Sequence, residues 1–305
     1  MSAADPIDLR DPVAVADTLR AAAQACLDAD CRDGAIDRIE SPGTLIATGD
    51  LHDNPLNFHR LVRRAHLDHD QTNNGLRHLT LHECIHSDRL VHGMDFSYRA
   101  LTRVAHLKQA HPEHVHCLLA NHELSQIIGA GIIKDGVKVV EAFNEGVEYV
   151  FGDHTEDIIA AIEAFVRAMP LALRATTPRG DILCAHSLPG SAMMGRFDPS
   201  VLERTPTDDD YAPRRGSAHM LVWGRGHDDE LLEDLTERWG VYLFVLGHEH
   251  APHGVTFVAP NAVVLNTDTH TGRFLPIDLS NPPSPHEAAG VTEPIESIAF
   301  EGEIA

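Results

Sequence analysis

Short apolar segments that end in polar residues recur along this 305-residue chain, and helical segments separate them. Thr44–Thr48, His78–Leu81 and Val115–Ala120 each have the length and apolar character of a buried strand. Helical periodicity follows the first two, from Pro55 and over about Phe96–Gln109. Strands that alternate with helices predict an α/β fold with a largely parallel inner sheet. Ligands bind beyond the carboxyl ends of such strands, where the polar residues of this chain fall.

The rest of the chain completes the outline. Asp11-Pro12 begins a helix over Val13–Leu27, and another helix is predicted over Thr155–Ala168. Further strands are predicted at about 181–185, 241–246, 255–258, 262–265 and 273–279.

We therefore predict one domain over residues 1–280. It carries an N-terminal helical extension over 1–40 and a helical insert over 125–180. After residue 280 the chain is acidic and proline-rich with few large apolar side chains, so we expect a mobile tail over 281–305.

Composition excludes several classes of protein. The chain has 24 Lys and Arg against 46 Asp and Glu, a net charge of −22 that disfavours nucleic acid as a partner. No signal-peptide pattern precedes residue 20, and no apolar run reaches the roughly 18 residues of a membrane span. The five cysteines form no CxxC pair, which is typical of free thiols in a reducing compartment. We expect a cytoplasmic protein without a membrane partner.

Metal-ligating side chains directly follow predicted strands in five places. A single such segment would arise often by chance, but five at strand ends point to one shared metal site. The segments are Gly49-Asp50-Leu51-His52, Leu81-His82-Glu83, Ala120-Asn121-His122-Glu123, Cys184-Ala185-His186 and Gly247-His248-Glu249-His250.

Taken in order, the segments resemble the motifs of calcineurin-like metallophosphoesterases, which run GDxH, GDxxD, GNH[DE], a lone histidine and GHxH. The resemblance covers roughly residues 44–279. Glu123 and the stretch Phe165 to Ala172, with Met169-Pro170-Leu171, are similar to the branch of phosphoprotein phosphatases and diadenosine polyphosphate hydrolases. The resemblance implies a four-layer α/β/β/α sandwich with a central pair of mixed sheets and a dinuclear site on loops at the strand ends.

In this family two divalent ions clamp a phosphate ester and acidify water. Carboxylate, imidazole and amide ligands suit Mn, Fe or Zn. By the resemblance, His122 would protonate the leaving oxygen as general acid. The resemblance also distributes the metal ligands: His52 and His250 on one ion, Asn121, His186 and His248 on the other, and Asp50 on both.

The second motif departs from the family pattern. His82-Glu83 replaces Gly-Asp, and Asp88-Arg89 comes two residues later than the family's Asp-Arg. Three interpretations are open: Glu83 supplies the bridging carboxylate, Asp88 supplies it, or the second metal is weakened or lost. If Asp88-Arg89 is equivalent to the family pair, Asp88 would orient His122 and Arg89 would bind phosphate through its guanidinium fork.

We therefore predict a metal-dependent phosphoesterase that hydrolyses phosphomonoesters by in-line attack of a hydroxide held between the metals. Its substrates would be phosphoproteins or small phosphoesters, as for protein serine/threonine phosphatases, and Arg225 is a further candidate for binding the phosphate. One alternative is a dinucleoside polyphosphate hydrolase or phosphodiesterase. Another is a non-catalytic metal-binding scaffold, which the departure at Glu83 supports.

Overall fold

Capping residues and apolar runs determine where the first helices begin. The Asp11 side chain accepts the backbone N–H of Val13, and Pro12 occupies the first turn of the helix. Asn54 and Pro55 start the next helix in the same way. The computed structural model describes residues 7–67, 76–134 and 136–299.

Most of the predicted elements are present in the described residues. The strands are β1 (Arg32–Asp33), β2 (Ile36–Glu40), β3 (Thr44–Ala47), β4 (Arg77–His82), β5 (Val115–Leu118), β6 (Ile133–Lys134), β7 (Val137–Lys138), β8 (Ala172–Thr176), β9 (Asp181–Ala185), β10 (Val241–Leu246), β11 (Val255–Val258), β12 (Ala262–Leu265), β13 (Arg273–Asp278) and β14 (Glu293–Pro294). The α-helices are α1 (Pro12–Asp28), α2 (Pro55–Arg64), α3 (Tyr98–Ala110), α4 (Asn121–Ile128), α5 (Val139–Phe151), α6 (Thr155–Ala168), α7 (Asp208–Tyr211), α8 (Ser217–Trp223), α9 (Asp229–Trp239) and α10 (Pro285–Ala288). Short 3₁₀ helices lie at Gly152–His154, Ser191–Met193, Pro199–Leu202 and Ile295–Ser297.

The strands form two mixed sheets and a small β6-β7 hairpin. The larger sheet has the order β1-β2-β8-β9-β10-β12-β11, and the smaller has the order β14-β13-β3-β4-β5. Strands β3, β4 and β5 are parallel neighbours, as are β9, β10 and β12. Antiparallel pairs β8-β9, β11-β12 and β3-β13 make both sheets mixed. The loops that follow the parallel strands carry the predicted ligands.

Apolar side chains fill three layers between and around the sheets. Leu45 and Leu275 of the smaller sheet pack against Ile182 and Leu243 of the larger one. Helices α1, α3, α5 and α6 contribute to the core on the other face of the smaller sheet. Helix α9 covers the outer face of the larger sheet through residues such as Leu232. This α/β/β/α order confirms the predicted fold class.

Three strands of the larger sheet lie where the sequence predicts helical segments, and the prediction is wrong there. β1 and β2 fall within the 1–40 extension and β8 within the 125–180 insert. β2 and β8 pair in parallel from Ile36 and Ala172 onward. The Ala-Leu-Arg-Ala-Thr sequence of β8 favours a helix locally, but pairing with a strand on each side outweighs that preference. In β2 a buried charged residue, Asp37, interrupts the apolar pattern.

Residues 281–299 pack against the smaller sheet, although their composition predicts a separate tail. β14 extends that sheet by pairing with β13, and Glu293 forms an ion pair with Arg64 at 3.2 Å. Ile295 and Ala288 are buried. A few buried apolar side chains and one strand pairing therefore place this segment despite its many prolines. Residues 300–305 of the predicted tail lie outside the described residues.

Two predictions from composition can be compared with the structure. All five cysteines are unpaired thiols, as expected. Within the described ranges, none of the helices combines the length and apolar character needed to cross a bilayer.

A buried carboxylate joins the two sheets. Oδ1 of Asp37 in β2 accepts a hydrogen bond from Nε of Arg32 at 2.8 Å, and Oδ2 lies 2.8 Å from Nδ1 of His116 in β5. Burial alone would raise the pKa of Asp37, but the hydrogen bond to His116 and the Arg32 charge lower it below its ordinary value. Asp37 is therefore an ionised, fully paired group in the protein interior.

We expect Asp37→Asn to lower the free energy of unfolding by about 3 kcal/mol, because the variant leaves Arg32 and His116 with an incomplete partner. A carboxyl group with a lowered pKa stabilises the fold only while it is ionised. The difference in the free energy of unfolding between the variant and the wild-type protein should thus be at its full value above about pH 4 and shrink as the pH falls further. Urea unfolding followed by circular dichroism measures both effects.

Asp33→Asn is the matched control. Asp33 pairs with Arg38 at 2.5 Å on the surface, and such exposed pairs contribute less than about 1 kcal/mol. Equal losses of stability in the two variants would contradict a special role for the buried pair.

Candidate metal centre

The ends of β3 and β4 bring the first two ligand segments together. Asp50, just beyond β3, pairs through its backbone with His82 at the end of β4 and with Asn266 beyond β12. Gly49 permits this close approach, since a Cβ at that position would lie 1.9 Å from the carbonyl oxygen of Leu265. Asp50 is therefore fixed where the two sheets meet.

The Glu83 carboxylate lies at the centre of the predicted ligands. Its Oε1 is 2.9 Å from Nε2 of His52, and its Oε2 is 2.8 Å from Nε2 of His186. Burial would raise the pKa of Glu83, but the imidazoles of His186, His122 and His52 hold it well below its ordinary value. One ionised carboxylate thus faces two groups of imidazoles.

Nε2 of His186 lies among atoms that carry lone pairs. It is 2.6 Å from Oδ1 of Asn121, 2.8 Å from Oε2 of Glu83 and 3.1 Å from Nδ1 of His248. Since these oxygens only accept hydrogen bonds, a proton or a metal ion must lie among them. Burial lowers the pKa of His186, but Glu83 and Asp50 raise it above its ordinary value. The structure thus brings together the three residues assigned to one ion.

The Asp50 carboxylate lies beside this group. Both of its oxygens accept the backbone N–H of His248, at 2.9 and 3.0 Å, and Oδ1 is 3.5 Å from Nδ1 of His186. Burial and the neighbouring Glu83 carboxylate raise the pKa of Asp50 to about 7. Two neighbouring buried carboxylates favour a cation nearby.

The chemistry of these side chains fits divalent metal. Nε2 of His248 is buried with no hydrogen-bond partner among the described residues. Carboxylate, imidazole and amide donors without a thiolate suit Mn, Fe or Zn. Around Glu83 and His186, three overlapping groups have ligand atoms within 4.8 Å of one another: Asp50 with His82 and His186, His52 with Glu83 and His122, and Glu83 with His186 and His248.

His122 contacts a histidine at the position where an aspartate is predicted. Its Nε2 lies 3.7 Å from Oε1 of Glu83, and its Nδ1 lies 2.9 Å from Nδ1 of His86. Nε2 of His86 is in turn 3.0 Å from Oε1 of Gln126. Burial lowers the pKa of His122 to about 3 and that of His86 to about 4. A pair of neutral imidazoles, supported by an amide, thus replaces the predicted His–Asp pair.

Asp88 lies apart from the ligand groups. Its side chain is 62% exposed and pairs with Lys134 at 2.9 Å. These contacts support neither the predicted role in orienting His122 nor the interpretation in which Asp88 bridges two metals. The backbone turns sharply at Glu83 and His86, with φ of 49° and 59°, so that His86 reaches His122 instead.

Three further predicted residues lie at the rim. His250 is exposed and belongs to none of the ligand groups, so it would have to move to share an ion with His52. The exposed guanidinium of Arg89 donates to the carbonyl oxygen of His52 at 3.3 Å. Arg225, also exposed, donates to the carbonyl oxygen of His248 at 2.9 Å. Two cationic side chains therefore stand beside the ligands on separate loops.

Left-handed backbone conformations occur at several residues of the centre. His52, Glu83, His86 and His248 have φ of 40°, 49°, 59° and 65°. Each such conformation costs a non-glycine residue about 1–2 kcal/mol. Strain of this kind is typical of functional sites, where surrounding contacts hold side chains in place.

A second group of possible ligands, formed by Cys31, Asp37 and His116, lies apart from this centre. The carboxylate of Asp37 already accepts hydrogen bonds from Arg32 and His116. Arg32 and Lys108 also place positive charge near Asp37. The Asp37 carboxylate is already paired and lies close to positively charged side chains. We therefore assign this group a structural role rather than metal binding.

Solved structures of two phosphatases share the architecture. Neither a protein-family model nor a curated protein matches the sequence. A protein serine/threonine phosphatase from Saccharomyces cerevisiae aligns over 88% of this chain and 82% of its own, with a TM-score of 0.63 and 15% identity. A cold-active protein-tyrosine phosphatase from a psychrophilic Shewanella species aligns over 85% and 82%, with a TM-score of 0.56 and 13% identity. The chain has the fold of these phosphatases.

Two histidines of the candidate centre, His82 and His86, are not among the site residues predicted from the sequence. Nδ1 of His82 lies 3.1 Å from Nδ1 of His186, and His86 contacts His122. Both belong to the second motif, where the sequence departs from the family pattern. In the GDxxD pattern the second aspartate comes three residues after the first. The same spacing counted from Glu83 reaches His86, and this is the sequence signal for that residue.

Gly247 provides a test of the packing in the centre. A Cβ at this position would lie 2.3 Å from Oδ1 of Asp50 and 2.6 Å from Cε1 of His82. We expect Gly247→Ala to weaken the binding of Mn²⁺ or Zn²⁺ by about 10-fold or more, because both side chains must move. Isothermal titration calorimetry measures the affinity.

Gly195→Ala is the control, since a Cβ at Gly195 meets no atom within 4 Å. Metal affinities that are equal in the two variants would show that the tight contact at Gly247 does not matter for binding.

Proposed function

We propose that the chain is a metal-dependent phosphoesterase that hydrolyses phosphomonoesters, with phosphorylated protein side chains as its preferred substrates. The observation that carries this proposal is the convergence of buried carboxylates, imidazoles and an amide around Glu83. These groups lie at strand ends in a fold shared with two protein phosphatases.

The chain's own ligands would hold two divalent ions. Glu83 would lie between them, because its two oxygens face His52 and His186 separately. Bound divalent ions supply positive charge to the phosphate oxygens and lower the pKa of water. The proposed ligands are Asp50, His52, Glu83, Asn121, His186 and His248, with His250 contributing only after a movement of its loop.

Three side chains would act on the phosphate ester. Arg89 and Arg225 stand at the rim, where their guanidinium groups can bind phosphate oxygens. His122 would protonate the leaving oxygen, with its ring held by His86. A bound phosphate dianion would raise the pKa of His122 again, since nearby negative charge favours the imidazolium form.

An open cavity of about 490 Å³ lies beside the centre and could accommodate a side chain of a peptide substrate. Its lining includes Met193, Met220 and Trp223, together with Arg225. The Trp223 ring also contacts the His248 ring, with 6.0 Å between centroids. An apolar surface next to the phosphate position would suit an apolar side chain of a phosphopeptide.

A substrate panel tests this proposal. We expect phosphoserine, phosphothreonine or phosphotyrosine peptides to be hydrolysed faster than diadenosine tetraphosphate or a bis-aryl phosphate. A chelator should abolish turnover, and Mn²⁺, Fe²⁺ or Zn²⁺ should restore it, as measured by phosphate release. Faster cleavage of diadenosine tetraphosphate would favour the nucleotide hydrolase instead. Metal binding without turnover of any substrate would favour a scaffold.

His122→Ala tests the assignment of the general acid. We expect the turnover of a phosphoserine peptide to fall about 100-fold or more, with less effect on p-nitrophenyl phosphate, whose leaving group needs no proton. Metal content measured by elemental analysis should stay unchanged. The control is His154→Ala at an exposed histidine of the surface. Loss of bound metal in His122→Ala would identify His122 as a ligand rather than a proton donor.

A further inference from the structure

His82 lies within the candidate metal centre but is not one of the predicted ligands. It ends β4 and is buried between the backbone of Thr48 and the ring of His186. Its Nε2 is 2.9 Å from the carbonyl oxygen of Thr48, and its Nδ1 is 3.1 Å from Nδ1 of His186. Both ring nitrogens therefore have a specific partner.

The Thr48 carbonyl determines where the His82 proton lies. A carbonyl oxygen only accepts hydrogen bonds, so Nε2 of His82 must carry the proton and Nδ1 must carry the lone pair. Thr80 holds this carbonyl in position, because Oγ1 of Thr80 accepts the N–H of Thr48 at 3.0 Å and its carbonyl accepts the Thr48 hydroxyl at 2.6 Å. The orientation of the His82 ring is therefore fixed by the backbone.

The lone pair of His82 in turn determines the proton position on His186. Nδ1 of His186 lies closer to Nδ1 of His82, at 3.1 Å, than to Oδ1 of Asp50, at 3.5 Å. Nδ1 of His186 thus donates to His82. Its Nε2 faces the ligand atoms of Asn121, Glu83 and His248, where it would offer a lone pair to a bound ion in place of a proton.

We propose that His82 is a positioning residue that holds His186 in the Nδ1–H tautomer, the form that binds a divalent ion through Nε2. Metal-binding histidines commonly donate their other N–H to an acceptor in this way, and loss of the acceptor lowers metal affinity about 10–100-fold. The inference rests on the metal site of the proposed function but not on its catalytic activity. The family pattern has glycine at this position, so the device is a property of this chain.

Two substitutions at His82 separate this role from others. His82→Leu removes the acceptor, and we expect the Kd for Zn²⁺, measured by competition with a chelator, to rise about 10–100-fold. His82→Gln supplies an amide oxygen for His186 and an NH₂ group for the Thr48 carbonyl, so affinity should stay near that of the wild-type protein. His78→Leu is the matched control, since His78 is buried on the same strand and contacts His116 instead of the ligands.

The tautomer itself gives a second measurement that needs no activity. In ¹⁵N NMR spectra of the Zn²⁺-loaded wild-type protein, His186 should carry its proton on Nδ1 and bind the ion through Nε2. Zinc bound through Nδ1, or an unchanged Zn²⁺ affinity in His82→Leu, would overturn the proposal. An equal loss of affinity in His82→Leu and His82→Gln, with one nitrogen ligand fewer by X-ray absorption, would instead make His82 a direct ligand and overturn it too.

Absence of phosphatase activity would leave both measurements intact. The proposed function and the role of His82 can therefore fail separately.

Discussion

The ionised carboxylate of Glu83 is the group on which the candidate centre depends. Its two oxygens contact imidazoles from different loops, and its charge helps to raise the pKa of the buried Asp50. A glutamate reaches one methylene further than the aspartate of the family pattern. The backbone at Glu83 is left-handed, with φ of 49°, and from this conformation the longer side chain meets both imidazoles.

The surrounding fold holds Glu83 through its neighbours. Its carbonyl oxygen accepts the backbone N–H of His52 at 2.7 Å, which ties the loop after β3 to the loop after β4. Oε1 of Glu123 in α4 accepts the N–H groups of Cys84 at 2.6 Å and Ile85 at 3.3 Å. Burial and Glu83 raise the pKa of Glu123 to about 7, since it is a second carboxyl group close to the first. The glutamate of the third motif thus positions the second motif.

Sequence reasoning predicts most residues of the candidate centre, because they directly follow strands with clear apolar patterns. It missed β8, whose alanines and arginine favour a helix until neighbouring strands pair with it, and β2, where Asp37 is buried only because Arg32 and His116 supply its partners. The position of Asp88 beside an arginine favours it as the partner of His122, whereas the residue that contacts His122 is His86, three positions after Glu83. Predictions from periodicity therefore succeed where burial decides the structure and fail where a long-range polar contact does.

The 22 histidines of the chain illustrate the same distinction. His116 and His186 are both completely buried beside carboxylates, yet their surroundings differ. The partner of His116 is a carboxylate already bound by a guanidinium, so the negative charge of that carboxylate is balanced within the protein. Nε2 of His186 faces acceptor atoms of Asn121 and Glu83, and such an arrangement is stable only with a proton or a cation between them. An unbalanced group of lone pairs, rather than burial, thus distinguishes His186 as a candidate metal ligand from His116. On the proposed function, a chain of net charge −22 would form one local site for a cation and, through that cation, for a phosphate.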